Sequence, residues 1–154
     1  MDLLILAFGT IHVLATSAWF GAMLYSLVVL QPRAMLYFDR PEEFENFIAV
    51  VSDGARWKVL AVASLSALSG VGIAVVTWPD ENSAAWILLG AFKVALLLLA
   101  LVVFGYASWR LWPARVLATR EDIPRFQVAF RRVGWAMLTL IGLAAVLGVA
   151  MRAL

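Results

Sequence analysis

Residues 84–109 read AAWILLGAFKVALLLLALVVFGYASW, and Lys93 is the only charged side chain among them. A helix needs about 20 predominantly apolar residues to cross the hydrocarbon core of a bilayer, so this run is long enough to span a membrane. Three further apolar runs share this character, at residues 3–30, 57–78 and 133–151. The sequence therefore predicts an all-α protein, an integral membrane four-helix transmembrane bundle, formed by residues 1–154 as one domain.

The composition agrees with a lipid environment. Hydrophobic residues make up 64% of the chain and charged residues 14%, whereas soluble domains are about half apolar and a quarter charged. The net charge of +2 is small and the basic residues flank the apolar runs, so we expect no nucleic-acid partner. The chain has no cysteine, which excludes disulfides, zinc–thiolate sites, iron–sulfur clusters and a cysteine nucleophile.

Basic residues predict the orientation of the four spans. They are concentrated in the first and third loops, and the short second loop around Pro79 has none. Cytoplasmic loops carry an excess of Lys and Arg, so both termini are predicted to lie outside. We expect a multi-pass protein of the bacterial inner (cytoplasmic) membrane with an N-out/C-out topology. The loop residues are Arg33, Arg40, Arg56, Lys58, Arg110, Arg115, Arg120, Arg125, Arg131 and Arg132.

Proline positions predict where helices end and begin. Pro32, Pro79 and Pro113 each follow a span, where proline is expected to stop the helix. Pro41 precedes two acidic residues and apolar residues at helical spacing, which predicts a short amphipathic helix in the first cytoplasmic loop. That helix either lies in the membrane interface or packs against the bundle. Pro124 suggests that the fourth helix begins before the lipid, and no internal repeat is evident.

Two ionisable side chains fall inside the spans, and they indicate where a functional site lies. His12 is the only histidine, and Lys93 lies in the middle of the third run. Polar groups are costly in hydrocarbon and usually face a bundle interior or a cavity. Both helices are predicted to start outside, which places the two residues at similar depth, roughly 12–15 Å below the outer surface.

A polar stripe continues from His12 along one face of the first helix: His12, Thr16, Trp19, Met23 and Ser26. We predict that His12, Lys93, Trp19 and Thr16 bind a cofactor, and that His12 and Met23 bind a metal, since a thioether is a soft copper(I) ligand. Two structural alternatives stay open. His12 can serve only as a hydrogen-bonding group, and Lys93 can snorkel to the surface.

Small residues line the second and fourth spans, and we interpret them as helix-packing surfaces. They are Ser64, Ser66, Ser69, Gly70 and Gly72 in the second span, and Gly134, Thr139, Gly142, Ala145 and Gly148 in the fourth.

The stretch Ile11-His12-Val13-Leu14-Ala15-Thr16-Ser17-Ala18-Trp19-Phe20-Gly21 resembles the first helix of the CopD-like (copper-resistance protein D) membrane families, with a His, six residues, then Trp, an apolar residue and Gly. The surroundings of Lys93 and the glycine-rich end of the second span, residues 68–72, are also similar. This resemblance implies copper uptake or tolerance. His12, Trp19 and Lys93 are similar too to the HemJ-type membrane protoporphyrinogen oxidases, which implies a haem b cofactor and a porphyrin ligand.

These observations favour a non-enzymatic membrane protein that binds or passes a metal ion or metal cofactor through an intramembrane His12/Lys93 site. Copper handling is the first expectation. A haem-b-binding membrane oxidoreductase is the alternative. A third alternative is an accessory subunit of a larger membrane complex, or a homo-oligomer, since small-residue faces suit helix association.

Overall fold

The computed structural model describes residues 2–78 and 83–151, and every regular element in these ranges is helical. The elements are α1 (Asp2–Tyr25), a π-helical turn (Ser26–Leu30), α2 (Gln31–Tyr37), α3 (Pro41–Val51), α4 (Ala55–Thr77), α5 (Ala84–Tyr106), a second π-helical turn (Ala107–Leu111), α6 (Trp112–Val116) and α7 (Ile123–Ala150).

Four of the resulting continuous helices are long and apolar enough to cross a membrane: Leu3–Tyr37, Ala55–Thr77, Ala84–Val116 and Ile123–Ala150. This confirms the predicted all-α four-helix transmembrane bundle. The fourth helix begins ten residues before the predicted apolar run, with Pro124 in its first turn, where a missing N–H costs nothing. The predicted stop at Pro79 and the loop around it lie outside the described residues.

The predicted helix stops at Pro32 and Pro113 are wrong, because the chain stays helical through both prolines. Proline lacks an N–H, and its ring clashes with the carbonyl of the preceding turn. A π turn relieves this by adding a residue to the turn before the proline. The backbone N–H of Gln31 accordingly donates to the Ser26 carbonyl, and that of Trp112 donates to the Ala107 carbonyl.

The two π turns reveal a structural repeat that the sequence did not show. His12 and Lys93 are 81 residues apart, and the same interval relates Ser26–Leu30 to Ala107–Leu111 and Pro32 to Pro113. Each half is therefore a long helix, interrupted by a π turn before a proline, that packs on a second helix. α1 packs mainly on α4, and α5 packs mainly on α7.

The core lies where the two halves meet. Trp19 and Ala63 from the first half are buried against Ala100, Met137 and Ile141 from the second. Trp19 is 4% exposed, and Ala100, which occupies the equivalent position in α5, is 1% exposed. A large side chain opposite a small one lets the two halves pack closely at this level. The end of the bundle at which α1 begins and α7 ends is the termini end, and the opposite end, where α3 lies, is the α3 end.

The predicted helix in the first loop exists as α3, and it packs against the bundle. Phe44 and Ile48 are buried against Ala34, with Trp112 packed beside them. Of the two placements left open by the sequence, this is the one observed for the apolar face of α3. The helix therefore closes part of the α3 end of the bundle.

Ion pairs attach α3 to α6 and to the loop after it. Arg115 donates two hydrogen bonds to Glu45, at 2.6 and 3.0 Å, and the two side chains are 6% and 17% exposed. Gln127 donates to the same carboxylate at 3.0 Å. Arg120 bonds Glu42 at the surface, and this hydrogen bond lowers the pKa of Glu42. The buried pair is the stronger attachment, because surface ion pairs contribute little.

Candidate functional site

His12 is held by the backbone of α4. Its Nδ1 lies 2.8 Å from the Ser66 carbonyl oxygen and 3.3 Å from the Ser69 hydroxyl oxygen. A carbonyl oxygen only accepts, so Nδ1 must carry the proton and donate it. In the neutral imidazole this leaves the Nε2 lone pair as the acceptor. The α4 backbone therefore fixes both the ring orientation and the tautomer of His12.

Lys93 meets the other nitrogen of the same ring. Its Nζ lies 3.4 Å from His12 Nε2, and both residues are half-buried. A protonated lysine has only donors, so the bond runs from Nζ to Nε2. This contact confirms that the two residues lie at similar depth. It also shows that Lys93 points into the bundle at this level, and not to the lipid face.

Hydroxyl groups complete the polar layer around His12. Thr16 Oγ1 lies 2.8 Å from Ser66 Oγ. Ser69 donates to the carbonyls of Leu65 and Ser66, at 2.7 and 3.0 Å, which leaves its oxygen to accept from His12. These bonds link one turn of α1 to one turn of α4, and they satisfy polar groups that would be costly in lipid.

Two glycines make room for the His12–Lys93 pair. A Cβ on Gly70 would lie 3.1 Å from His12 Cε1, and a Cβ on Gly148 would lie 2.8 Å from Lys93 Nζ. Each half of the repeat therefore sets a polar side chain of its first helix against a glycine of its second helix. These close approaches bring the imidazole and the amine to the interface between the halves.

Met151 lies close to this centre on the termini side. Its Cε is 3.7 Å from the position that a Cβ on Gly90 would take. Gly90 is one helical turn before Lys93 in α5, and Met151 follows the last residue of α7. The methyl end of Met151 therefore lies against the turn of α5 that precedes Lys93.

The structure separates the predicted site residues into two groups. His12, Lys93 and Thr16 lie in the polar layer described above. Trp19 and Met23 face the interior as predicted, but they line a cavity nearer the α3 end. Met23 is eleven residues after His12, which is about 16 Å along a helix. The structure does not bring Met23 to the imidazole, so the two cannot share one metal ion.

Sequence reasoning missed three residues of this centre. Ser66 and Ser69 were interpreted as packing residues of α4, yet they orient His12. Their three-residue spacing matches one helix face, and this signal could have paired them with the stripe of α1. Met151 was missed because a methionine near the end of an apolar run has no distinguishing local pattern.

The donor atoms limit which ligands the centre can bind. Within residues 2–78 and 83–151, no group of three or more His, Cys, Asp or Glu side chains could hold a metal ion. An imidazole nitrogen, an amine, hydroxyls and a thioether are the groups at hand. Hard cations prefer carboxylate oxygens, whereas soft ions take nitrogen and thioether sulfur.

Comparisons with protein-family models, with curated proteins and with solved structures find no match to this chain.

Proposed function

We propose that this protein binds a soft metal ion, copper(I), at His12 Nε2 and passes it across the bacterial inner membrane. One observation carries the proposal: the His12 Nδ1–H donates to the Ser66 carbonyl. Metal-binding histidines commonly donate their other ring nitrogen to a carbonyl or carboxylate, which holds the ligating nitrogen in place. The same bond aims Nε2 at the interface between the halves.

Met151 is the second soft donor in this proposal. Thioethers select copper(I) over harder ions, and the end of the Met151 side chain lies against Gly90, one turn of α5 before Lys93. A site with few ligands binds weakly enough to release its ion, as conduction requires. The centre therefore suits an ion in transit better than a stored one.

Lys93 competes with the ion for Nε2. An imidazole lone pair that accepts from Lys93 cannot at the same time bind a metal. The amine must move away or lose its proton when the ion binds, because an ammonium and a cation repel at this distance in a medium of low dielectric. Binding in this scheme is coupled to the movement of Lys93 or of its proton.

Anaerobic titration of the purified protein with copper(I), against a chelator of known affinity, tests the proposal. We expect one ion per chain and no visible absorption. A Soret band in the protein as isolated would instead indicate haem b. His12 is not among the residues that line the nearby cavity.

Substitution of Lys93 tests the competition. Lys93→Met should tighten copper(I) binding by about tenfold, because it removes a charge-assisted hydrogen bond to Nε2 and keeps the apolar stem. Lys93→Arg should weaken binding, since a guanidinium cannot give up its proton at accessible pH. Equal affinities for the wild-type protein and both variants would contradict a role for Lys93 at Nε2.

The proposed direction of passage depends on topology. We expect both termini outside and the loop around Arg120 in the cytoplasm. A reporter that is active only outside should give signal when fused after residue 154 and none when inserted near Arg120. A second reporter, active only in the cytoplasm, should give the opposite pattern. Reversed signals would place the His12–Lys93 centre in the inner half of the bilayer.

A further inference from the structure

A cavity of about 670 Å³ lies between the two halves at the α3 end. Both π turns line it, through Ser26 and Ser108, and Asp53 in the turn before α4 and Arg56 in its first turn contribute as well. A cavity of this size with several polar side chains holds water readily. The basic residues assign this end of the bundle to the cytoplasm.

The lining residues come in equivalent pairs. Met23 and Phe104 contribute from the first helices of the two halves, as do Leu27 and Ser108, related by the same interval as His12 and Lys93. Both halves therefore line the cavity, just as both halves supply the His12–Lys93 contact.

Trp19 separates the cavity from the polar layer. It lines the cavity, is 4% exposed, and is the largest side chain of the buried core. Trp19 follows His12 by seven residues, or about 10 Å along α1. Among the described residues its indole N–H, although buried, has no hydrogen-bond acceptor.

We propose that the cavity is a water-filled cytoplasmic vestibule and that Trp19 is the plug between it and the His12–Lys93 centre. Displacement of the indole opens a continuous path from the cavity to the His12–Lys93 centre between the two halves. The plug rests on the proposed passage of an ion through the centre. The vestibule does not depend on that passage, because it follows from the lining residues and their position alone.

The absence of cysteine from the chain makes the vestibule testable by single-cysteine labelling. Ser26→Cys and Ser108→Cys should react with a charged methanethiosulfonate reagent added to inside-out vesicles. Leu98→Cys is the matched control, since Leu98 lies on α5 with 57% exposure on its outer face. The two vestibule thiols should react at least about tenfold faster, because only a hydrated thiol forms the reactive thiolate. Rates equal to that of Leu98→Cys would overturn the vestibule.

A second labelling experiment tests the plug. With Trp19 intact, His12→Cys should be protected from the reagent on the cytoplasmic side. Trp19→Ala in the same background should raise the rate by about tenfold or more, whereas Trp19→Phe should leave it low. Trp19→Leu replaces Trp19→Ala if the latter does not fold. Rapid labelling of His12→Cys with Trp19 intact would overturn the plug. The absence of labelling with Ala, or with Leu in its place, at position 19 would overturn it as well. Copper(I) titration of the wild-type protein judges the proposed function separately.

Discussion

His12→Ala should abolish the proposed copper(I) binding or weaken it by at least about a hundredfold. Loss of a group that only hydrogen-bonds a metal-binding side chain typically costs 10–100-fold in metal affinity, so loss of the ligating nitrogen should cost more. The variant should still insert and purify, because α1 and α4 keep their apolar contacts and Ser69 still bonds within α4. Chelator competition measures the affinity, and circular dichroism measures the remaining helix content.

Thr16→Val is the matched control for this experiment. Thr16 lies one turn from His12 on the same face, and its hydroxyl bonds Ser66 Oγ at 2.8 Å. Its loss should change copper(I) affinity by less than about fivefold, the equivalent of one ordinary hydrogen bond. If His12→Ala binds as well as Thr16→Val, the imidazole is a structural group and the proposed site is wrong.

Arg115→Met should destabilise the protein by about 3–5 kcal/mol, because it leaves the buried Glu45 carboxylate without its cation. Arg115 also packs on the rings of Phe130 and Trp112, with its guanidinium carbon 4.7 and 6.0 Å from their centroids. Loss of this pair should release α3 from the bundle. Reversible unfolding in mixed micelles measures the free energy, and limited proteolysis measures exposure of the 38–54 segment.

Two further variants separate the buried pair from general surface effects. Arg120→Ala removes the exposed partner of Glu42 and should leave the stability nearly unchanged, because exposed ion pairs contribute little. Glu45→Met combined with Arg115→Met should recover most of the lost stability, since no uncompensated charge is then buried. A double variant as unstable as Arg115→Met alone would show that the loss comes from packing.

The sequence was sufficient to predict the four spans, the helix at Pro41 and the inward stripe from His12. Those features rest on composition and helical period, which a local pattern contains. The continuation through Pro32 and Pro113 was not predictable from proline chemistry alone. A proline either ends a helix or is accommodated by a π turn before it. Packing of the residues that follow the proline decides between these outcomes.

The partners of His12 also depended on information that one helix does not hold. Ser66 and Ser69 have the spacing of a packing face, and only the rotation of α4 about its axis turns them toward α1. The repeat was hidden for a related reason. The halves share positions and few identities, and Trp19 opposite Ala100 is complementary in size because of that difference.

The two unequal halves make possible a contact that an assembly of identical subunits could not form. In a symmetric dimer, a residue on the axis meets its own copy. Two copies of the first half would set imidazole against imidazole, and two copies of the second would hold two ammonium groups together at strongly repulsive range. One covalent chain with two different halves instead places a donor opposite an acceptor at 3.4 Å. The chemical difference between the halves, and not the arrangement of the helices, makes this contact favourable.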